Sequence, residues 1–188
     1  MTHDPSIHEH DLSGQSAGHV TPPKPIALPV LPDQMPDELK AIDQWVVWRY
    51  FWLEDRQKWD KPPLQARGGN LASTTNAKTW STFAAAMAIY LTGLVDGVGF
   101  VFAKKNRLTG IDLDHARDPE TGIIEPWALD IIHSFRTYTE LSPSGTGIHI
   151  IAGGILPGPG VKTARVEMYD TGRYFTMTGH QLEVPPWT

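Results

Sequence analysis

The chain has 188 residues, of which 40% are hydrophobic and 20% are charged, and its formal net charge is −5. This composition is typical of one globular domain, and the negative charge argues against strong nonspecific binding to a nucleic-acid backbone. There is no cysteine, which excludes disulfides and cysteine-ligated zinc sites. No apolar run approaches the roughly 20 residues of a membrane span, and the first residues lack signal-peptide features, so we expect a cytoplasmic protein without a membrane partner.

Prolines recur through residues 1–36 and remove backbone donors, so we predict a disordered tail there. Residues 37–188 are predicted to form the folded domain. A short helical turn at 37–42 leads into an aromatic strand at 44–52, which a polar turn joins to a second strand at 58–61. The aromatic side chains offer surfaces on which bases could stack, but packing in the core is the favoured interpretation.

One amphipathic helix is predicted over residues 77–91, with Asn76 as its N-cap. Gly93 ends it. A strand at 98–103 follows, and the basic turn Lys104–Arg107 connects it to the next strand. We predict that these two strands form a hairpin.

The next strand, residues 108–114, carries two carboxylates on the same face, because strand side chains alternate. Asp112 and Asp114 lie roughly 6–7 Å apart along such a strand, close enough to share a divalent cation. Charges at the end of an apolar strand are costly unless they are paired or metal-bound. The alternative is that one or both carboxylates only cap the turn before Asp118. The pair is therefore a candidate metal site.

A second helix is predicted from Pro126 to Phe135, with Trp127, Ile131 and Phe135 facing inward. A strand at 137–141 follows it. Neither a nucleophile elbow nor a P-loop motif is present in the chain, so the sequence does not indicate serine-hydrolase or P-loop chemistry.

The segment Ser142–Gly147 is predicted to be a tight turn whose glycines and hydroxyls are suited to an anion. His149 follows on a strand and shares a face with Gly147. A lone histidine is more often structural. One that follows a glycine-rich turn, on a strand beside an acidic strand, is a candidate ligand-binding residue.

The last strands are predicted at 165–170 and 173–179, joined as a hairpin by a Thr-Gly turn. Glu167 lies in the first strand and Arg173 begins the second. The two side chains could simply pair across the hairpin. A third strand-borne acid is also what a two-metal site needs.

Three motifs therefore occur in order. They are Ile-Asp-Leu-Asp-His at 111–115, Ser-Gly-Thr-Gly-Ile-His at 144–149 and Val-Glu-Met-Tyr-Asp-Thr-Gly-Arg-Tyr-Phe at 166–175. This set resembles the primase-polymerase domain of the archaeo-eukaryotic primase superfamily, in particular its phage and plasmid replication branch. The Trp-Val-Val-Trp run and the Lys-Pro-Pro stretch from Lys61 are similar to that branch as well.

The resemblance implies an α/β (α+β) fold. In it, a small N-terminal α/β unit packs on a mostly antiparallel palm sheet like that of an RNA-recognition motif, with the subdivision near residues 93–96. It also implies that Asp112, Asp114 and Glu167 bind Mg²⁺ or Mn²⁺, and that these acids and His149 are catalytic. The residues implied to contact the nucleotide are Ser144, Gly145, Gly147 and His149. As further positive charges near the triphosphate we add three candidates of our own, Lys61, Arg165 and Arg173.

The implied activity is template-dependent nucleotidyl transfer by a DNA primase-polymerase in phage or plasmid replication, with DNA template, primer and (d)NTPs as partners. A helicase or helical accessory domain on a separate chain is a further expected partner. Family members commonly carry a zinc-binding element, which a chain without cysteine does not supply, so the resemblance leaves de novo priming open. We expect either the catalytic module of a larger replication protein or a truncated relative. Two alternatives stay open: a two-metal nuclease, and a non-catalytic module that binds nucleotide or DNA.

Overall fold

The structure is a computed structural model that describes residues 21–183. Within that range it has two main sheets, one separate hairpin and three α-helices. The helices are α1 (Asp37–Lys40), α2 (Phe83–Tyr90) and α3 (Pro126–Phe135). The strands are β1 (Trp45–Trp48), β2 (Phe51–Leu53), β3 (Lys58–Asp60), β4 (Pro63–Leu64), β5 (Gly97–Val101), β6 (Leu108–Leu113), β7 (Tyr138–Leu141), β8 (Ile148–Gly153), β9 (Val161–Lys162), β10 (Val166–Tyr169) and β11 (Tyr174–Met177).

The larger sheet has five strands in the order β7-β8-β6-β10-β9, and each neighbouring pair is antiparallel. Ile111 of β6 and Ile150 of β8 point to one face, where they pack with Ile132 of α3. Side chains alternate along a strand, so the opposite face carries Asp112 and His149. One face of this sheet is therefore sealed by a helix, and the other is available for a site.

The smaller sheet has four antiparallel strands in the order β11-β5-β1-β4. Trp45 and Trp48 of β1 are almost fully buried, and each donates its indole N–H to a backbone carbonyl. Helix α2 contributes Ala86 to the same core. The aromatic run of β1 therefore packs in the core, as predicted, whereas Trp52 and Trp59 of the β2–β3 hairpin are only half-buried.

Aromatic rings of the smaller sheet pack against the larger sheet. Phe175 of β11 and Phe102, which directly follows β5, pack edge to face with their ring centroids 4.8 Å apart, and both rings lie over Gly110 of β6. Gly110 of β6 permits this approach, because a Cβ there would lie 2.5 Å from Phe102 and 2.6 Å from Phe175. Beside this contact, side chains from both sheets line an open cleft.

The expected fold class is confirmed, since the fold mixes helices with mostly antiparallel sheets. The subdivision near residues 93–96 stays a prediction; β5 and β11, which both follow that point, belong to the smaller sheet. Among residues 21–183, no helix combines the length and the apolar character needed to cross a bilayer.

Two predicted hairpins are wrong. β5 pairs with β1 and β11, whereas β6 pairs with β8 and β10. In the same way β10 pairs with β6 and β9, while β11 returns to β5. Both connections therefore cross from one sheet to the other, through turns in which Arg107 (φ 53°) and Gly172 (φ 68°) are left-handed. Glu167 and Arg173 therefore do not pair across a hairpin, because β10 and β11 are not hydrogen-bonded to each other.

Several element boundaries also differ from the prediction. The strand predicted at 44–52 is interrupted and forms β1 and β2. The helix predicted at 77–91 begins later, as α2, with Thr82 as its cap, while Asn76 caps a separate 3-10 turn. The predicted helix is interrupted because Ser81, between the 3-10 turn and α2, forms a β-bridge with Trp45 of β1. In α3, Phe135 is exposed rather than inward-facing.

Part of the predicted tail lies against the domain. Residues 1–20 of it are outside the described residues. Residues 24–35, which we call the N-terminal strap, run along both sheets, and Val30 and Met35 are buried in the core of the smaller sheet. The packed part of the chain therefore begins well before residue 37.

Candidate active site

Four titratable side chains form a row across the larger sheet, on the face opposite α3. From the edge inward, they are Glu140 of β7, His149 of β8, Asp112 of β6 and Glu167 of β10, each directly opposite the next. Directly opposite residues of antiparallel strands share a face, and their Cα atoms lie roughly 4.5–5.5 Å apart. The strand register therefore places Glu167 on the same face as Asp112 and His149.

A cleft with a volume of about 240 Å³ opens over the middle of this row, at Asp112 and His149, while Glu140 and Glu167 are not in its lining. The larger sheet and the chain that follows its strands contribute Asp112, Asp114 and His149 to its lining, and Lys61 faces them from the other side. Asp114 lies just beyond the end of β6 and is exposed. The structure thus brings two predicted metal ligands, the predicted histidine and one predicted cation to one cleft.

The carboxyl group of Asp112 is partly buried, with 27% of its side chain exposed. Burial is the largest influence on its pKa, which is raised above the ordinary value. The negative charges of Asp114 and Glu167 raise this pKa further, whereas His149 and Lys61 lower it. His149 and Lys61 therefore offset only part of the effect that burial and the neighbouring carboxylates have on Asp112.

Glu167 is held differently, because it forms an ion pair with Lys162 of β9. Burial favours a higher pKa for Glu167, but hydrogen bonds from Lys162 and Tyr169 outweigh it and hold the pKa below the ordinary value. Glu167 therefore shares the face of Asp112 but has a cationic partner of its own.

His149 has carboxylates at both ring nitrogens. Its Nδ1 lies 3.4 Å from Glu140 Oε1, and its Nε2 lies 3.8 Å from Asp112 Oδ1. The ring stacks on Phe175, with centroids 4.7 Å apart and an interplanar angle of 24°. The imidazole therefore has a fixed plane, with Nε2 turned towards Asp112.

The turn Ser142–Gly147 lies beside the row, but its glycine amides donate within the turn. Gly147 N–H donates to Ser142 Oγ at 3.1 Å, and Gly145 N–H donates to the Ser142 carbonyl at 2.9 Å. Ser144 Oγ lies 3.1 Å from Ser142 Oγ and 2.8 Å from Thr146 Oγ1. All three hydroxyl residues line the cleft. The turn therefore presents hydroxyl groups, rather than free glycine amides, to a ligand.

The three predicted cations lie in different places. Lys61 lines the cleft, and burial lowers the pKa of its ammonium group against the opposing effect of nearby carboxylates. Arg165 is exposed and lies 5.7 Å from the Trp127 ring, and Arg173 is exposed and lies 4.8 Å from the Tyr169 ring. The cleft lining includes Lys61 and neither arginine.

The predicted metal ligands fit a hard divalent ion in their chemistry. Carboxylate oxygens are what Mg²⁺ and Mn²⁺ prefer. Burial and, after it, the negative charges of Asp114 and Glu167 raise the pKa of Asp112, and a bound cation would favour its ionised form. Among residues 21–183, however, no three acidic or histidine side chains are already grouped closely enough to hold an ion. Glu167 in particular would have to leave Lys162.

Two neighbours of His149 were not predicted to be site residues, although one of them, Phe175, ends the third motif. Glu140 is completely buried and contacts His149, although it lies in an ordinary strand pattern. Phe175 supplies the ring on which His149 stacks. Their partners lie far away in the chain, so only the strand pairing reveals them.

No family model matches the chain. It is similar to a protein of Nitratiruptor phage NrS-1 named DNA primase-polymerase, with 32% identity over 151 residues. The aligned region covers 77% of this chain and 20% of that protein, so the chain spans about a fifth of the length of the curated relative it matches. The similarity agrees with the family that the three motifs indicate. The chain therefore contains a primase-polymerase domain.

Proposed function

We propose that this chain catalyses template-dependent nucleotidyl transfer, as a DNA primase-polymerase module in phage or plasmid replication. The observation that supports this most is the cleft itself, in which Asp112, Asp114 and His149 face Lys61 and a turn rich in hydroxyls. Acids for a cation, beside donors for phosphate oxygens, are what phosphoryl transfer requires. The printed name of the phage relative points to the same activity.

In the proposed mechanism, Asp112, Asp114 and Glu167 hold Mg²⁺ or Mn²⁺. Bound ions of this kind supply Lewis-acid activation of the primer 3′-hydroxyl and neutralise charge on the leaving pyrophosphate. Asp112 and Asp114 line the cleft already. Glu167 would hold the ion with them only if its ion pair with Lys162 were broken.

The triphosphate is proposed to lie between the two sides of the cleft. His149 directs Nε2 towards it, and Ser144 offers a hydroxyl from the turn whose shape Gly145 and Gly147 maintain. Lys61 adds positive charge from the opposite side. Catalysis in this arrangement is mainly positioning and charge neutralisation.

DNA is proposed to contact the outer part of the same face. Arg165 and Arg173 are exposed near β10 and are candidates for phosphate contacts beyond the cleft. The net charge of −5 limits the grip that this chain alone has on a template. A helicase or helical accessory domain on another chain would supply the additional contacts.

Primer extension tests the proposal. A labelled primer–template is incubated with the protein and with dNTPs or NTPs, in Mg²⁺ and in Mn²⁺. Extension supports nucleotidyl transfer, whereas shortening of the primer identifies the nuclease alternative. Nucleotide binding without turnover in either metal identifies a non-catalytic module.

Substitution of the acids connects the activity to the cleft. Asp112→Ala and Asp114→Ala should each abolish incorporation while the protein keeps its circular dichroism spectrum. Asp130→Ala, which removes an exposed carboxylate from α3, is the matched control and should extend primers normally. Continued incorporation by the Asp112 or Asp114 variant would remove that residue from the site.

A further inference from the structure

Residues 61–95 contain no aspartate or glutamate, although the chain as a whole has a net charge of −5. The cations of this stretch are Lys61, Arg67 and Lys78, and the residues between the last two are rich in hydroxyl and amide side chains. Lysine, arginine, serine, threonine and asparagine are the side chains with which proteins contact nucleic-acid phosphates. The stretch therefore suits phosphate contacts, and the proposed mechanism uses only Lys61.

Part of this stretch lines a second cavity, which shares no lining residue with the cleft and has a volume of about 370 Å³. We call it the edge cavity. Its lining includes Arg67, Lys78 and the half-buried ring of Trp80. The indole N–H of Trp80 donates to the carbonyl of Ser73 at 2.6 Å, and Thr79 Oγ1 donates to the carbonyl of Asn76 at 2.7 Å. Hydrogen bonds within the loop therefore hold this wall of the cavity in place.

The positive charges of the edge cavity are not neutralised by the protein. Among residues 21–183, no carboxylate forms an ion pair with Arg67 or Lys78. Of the described residues that line the cavity, Asp43 alone is acidic. Two cations and one carboxylate leave an excess of positive charge, so the cavity can attract an anion in a chain that is negative overall.

The edge strand β4 connects the edge cavity to the cleft. Lys61 precedes β4 and lines the cleft, whereas Arg67 follows β4 and lines the cavity. The six residues from Lys61 to Arg67 span at most about 22 Å. One strand of DNA in a stacked form advances about 3.4 Å per nucleotide, so about six nucleotides cover this distance. The two sites therefore lie within reach of one short single strand.

We propose that the edge cavity binds backbone phosphates of the single-stranded template, on the part of the strand that has not yet entered the cleft. Arg67 and Lys78 contact the phosphate oxygens, and the Trp80 ring offers a surface on which a base stacks. Such contacts do not depend on base sequence. The assignment to the template rests on the proposed function, whereas binding of single-stranded DNA does not depend on catalysis.

The direct test is binding of a fluorescein-labelled oligothymidylate to the full chain, followed by fluorescence anisotropy without metal or nucleotide. Arg67→Gln and Lys78→Gln should each raise the Kd about fivefold, the effect of one exposed charge contact. The slope of log Kd against log salt should fall by about 0.7 in each variant, the value for one phosphate contact of a single strand. An unchanged Kd in both variants would overturn the proposal.

The matched control is the double variant Arg136→Gln/Lys105→Gln, which removes the same two charges from exposed positions outside the edge cavity. It should bind the oligothymidylate much more tightly than Arg67→Gln/Lys78→Gln does. If the two double variants lose the same affinity, the effect comes from net charge alone, and the edge cavity is not a binding site.

Asp43→Asn tests the opposite direction, because it removes the acid from the lining and leaves both cations. It should lower the Kd for the oligothymidylate about two- to threefold, since repulsion between exposed charges is weak. Asp130→Asn, an exposed acid on α3, is the control and should leave the Kd unchanged. A Kd that does not fall in Asp43→Asn would overturn the placement of phosphates in this cavity.

Primer extension connects the edge cavity to the cleft. Arg67→Gln/Lys78→Gln should raise the KM for a template with about ten unpaired nucleotides several-fold more than for one with about two, which is too short to reach the cavity. Equal changes on both templates would overturn the proposed path of the strand. If the wild-type protein extends no primer, the proposed function fails, and the anisotropy result still decides whether the cavity binds DNA.

Discussion

Asp112 interacts with four titratable neighbours, which are Asp114, Glu167, His149 and Lys61. Its pKa is raised, mainly by burial, so the folded protein binds this proton more tightly than the unfolded chain does. The contribution of Asp112 to stability is therefore greatest below its unfolded-state pKa and is lost as the pH rises through its folded-state value. At neutral pH the ionised carboxylate lowers the free energy of unfolding. A carboxylate that lowers stability in this way is typical of a binding or catalytic site, where pKa values are often perturbed.

Asp112→Asn should therefore abolish nucleotide incorporation and yet stabilise the fold at pH 7. We expect the melting temperature to rise by about 2–4 °C, the shift that about 1 kcal/mol produces in a chain of this size. Thermal unfolding followed by circular dichroism measures it. Asp130→Asn, on the exposed side of α3, is the control and should change neither activity nor melting temperature. A lower melting temperature for Asp112→Asn would show that the charge has a structural partner.

At the scale of the elements, the edge strand β9 holds Glu167 through Lys162. Lys162→Gln removes this competitor for the carboxylate. We expect the Mn²⁺ concentration at half-maximal primer extension to fall about two- to fivefold, because exposed ion pairs are weak. Lys105→Gln, an exposed lysine in the turn before β6, is the matched control. An unchanged metal dependence in the Lys162 variant would argue that Glu167 is not a ligand.

The contact between the sheets depends on Gly110 of β6. An added Cβ would lie within 2.6 Å of both Phe102 and Phe175, and Phe175 supports the ring of His149. Gly110→Ala should therefore lower the free energy of unfolding by about 1–3 kcal/mol, as overpacking does, and should reduce primer extension. Gly153→Ala on the neighbouring strand has open space for its Cβ and should leave stability almost unchanged. Urea unfolding of both variants makes the comparison, and equal stabilities would show that the rings adapt.

The elements that the sequence predicts well are those with a local cause. Helix α3 begins at the predicted Pro126, and the β2–β3 hairpin forms where the predicted aromatic strand and the strand after it flank a polar turn. The partners of β5, β6, β10 and β11 were predicted wrongly, because a short turn between two strands favours a hairpin but does not show that the strands belong to different sheets. Arg107 and Gly172 have left-handed backbone conformations at those turns and direct the chain into the other sheet. The residues next to them in sequence do not indicate this change of sheet.

The candidate site was predictable to a similar degree. The motif residues Asp112 and His149 were found from their spacing, and the strand register places them side by side. Glu140 was missed, because a buried acid is recognised by its partners, and those are backbone groups at Thr178 and Gly179. The pairing of Glu167 with Lys162 follows from β9, a two-residue strand directly after the Gly- and Pro-rich residues 153–160, which the sequence pattern does not predict.

At the scale of the whole molecule, the N-terminal strap connects the two sheets. Val30 N–H donates to the Tyr90 hydroxyl of α2 at 3.0 Å, on the side of the smaller sheet. Leu28 N–H donates to the carbonyl of Pro143 at 2.8 Å, in the hydroxyl turn beside the cleft. The strap therefore supports the wall of the proposed nucleotide site as well as the core.

Two truncated chains test this role, one beginning at Thr21 and one at Pro32. They differ only in described residues, so the comparison isolates the strap. The shorter chain loses the buried side chain of Val30 and several backbone hydrogen bonds, together at least about 3 kcal/mol. Its melting temperature should be lower by at least about 6 °C.

The same pair of chains separates a structural role from a role in the site. Because Leu28 contacts the turn that contains Ser144, the shorter chain should show a higher KM for the nucleotide at temperatures where it remains folded. Ile26→Ala in the full chain is the control, since that side chain is 93% exposed and should affect neither quantity. A lower melting temperature with an unchanged KM would confine the strap to stability. Equal melting temperatures would mean that the two sheets hold together without it.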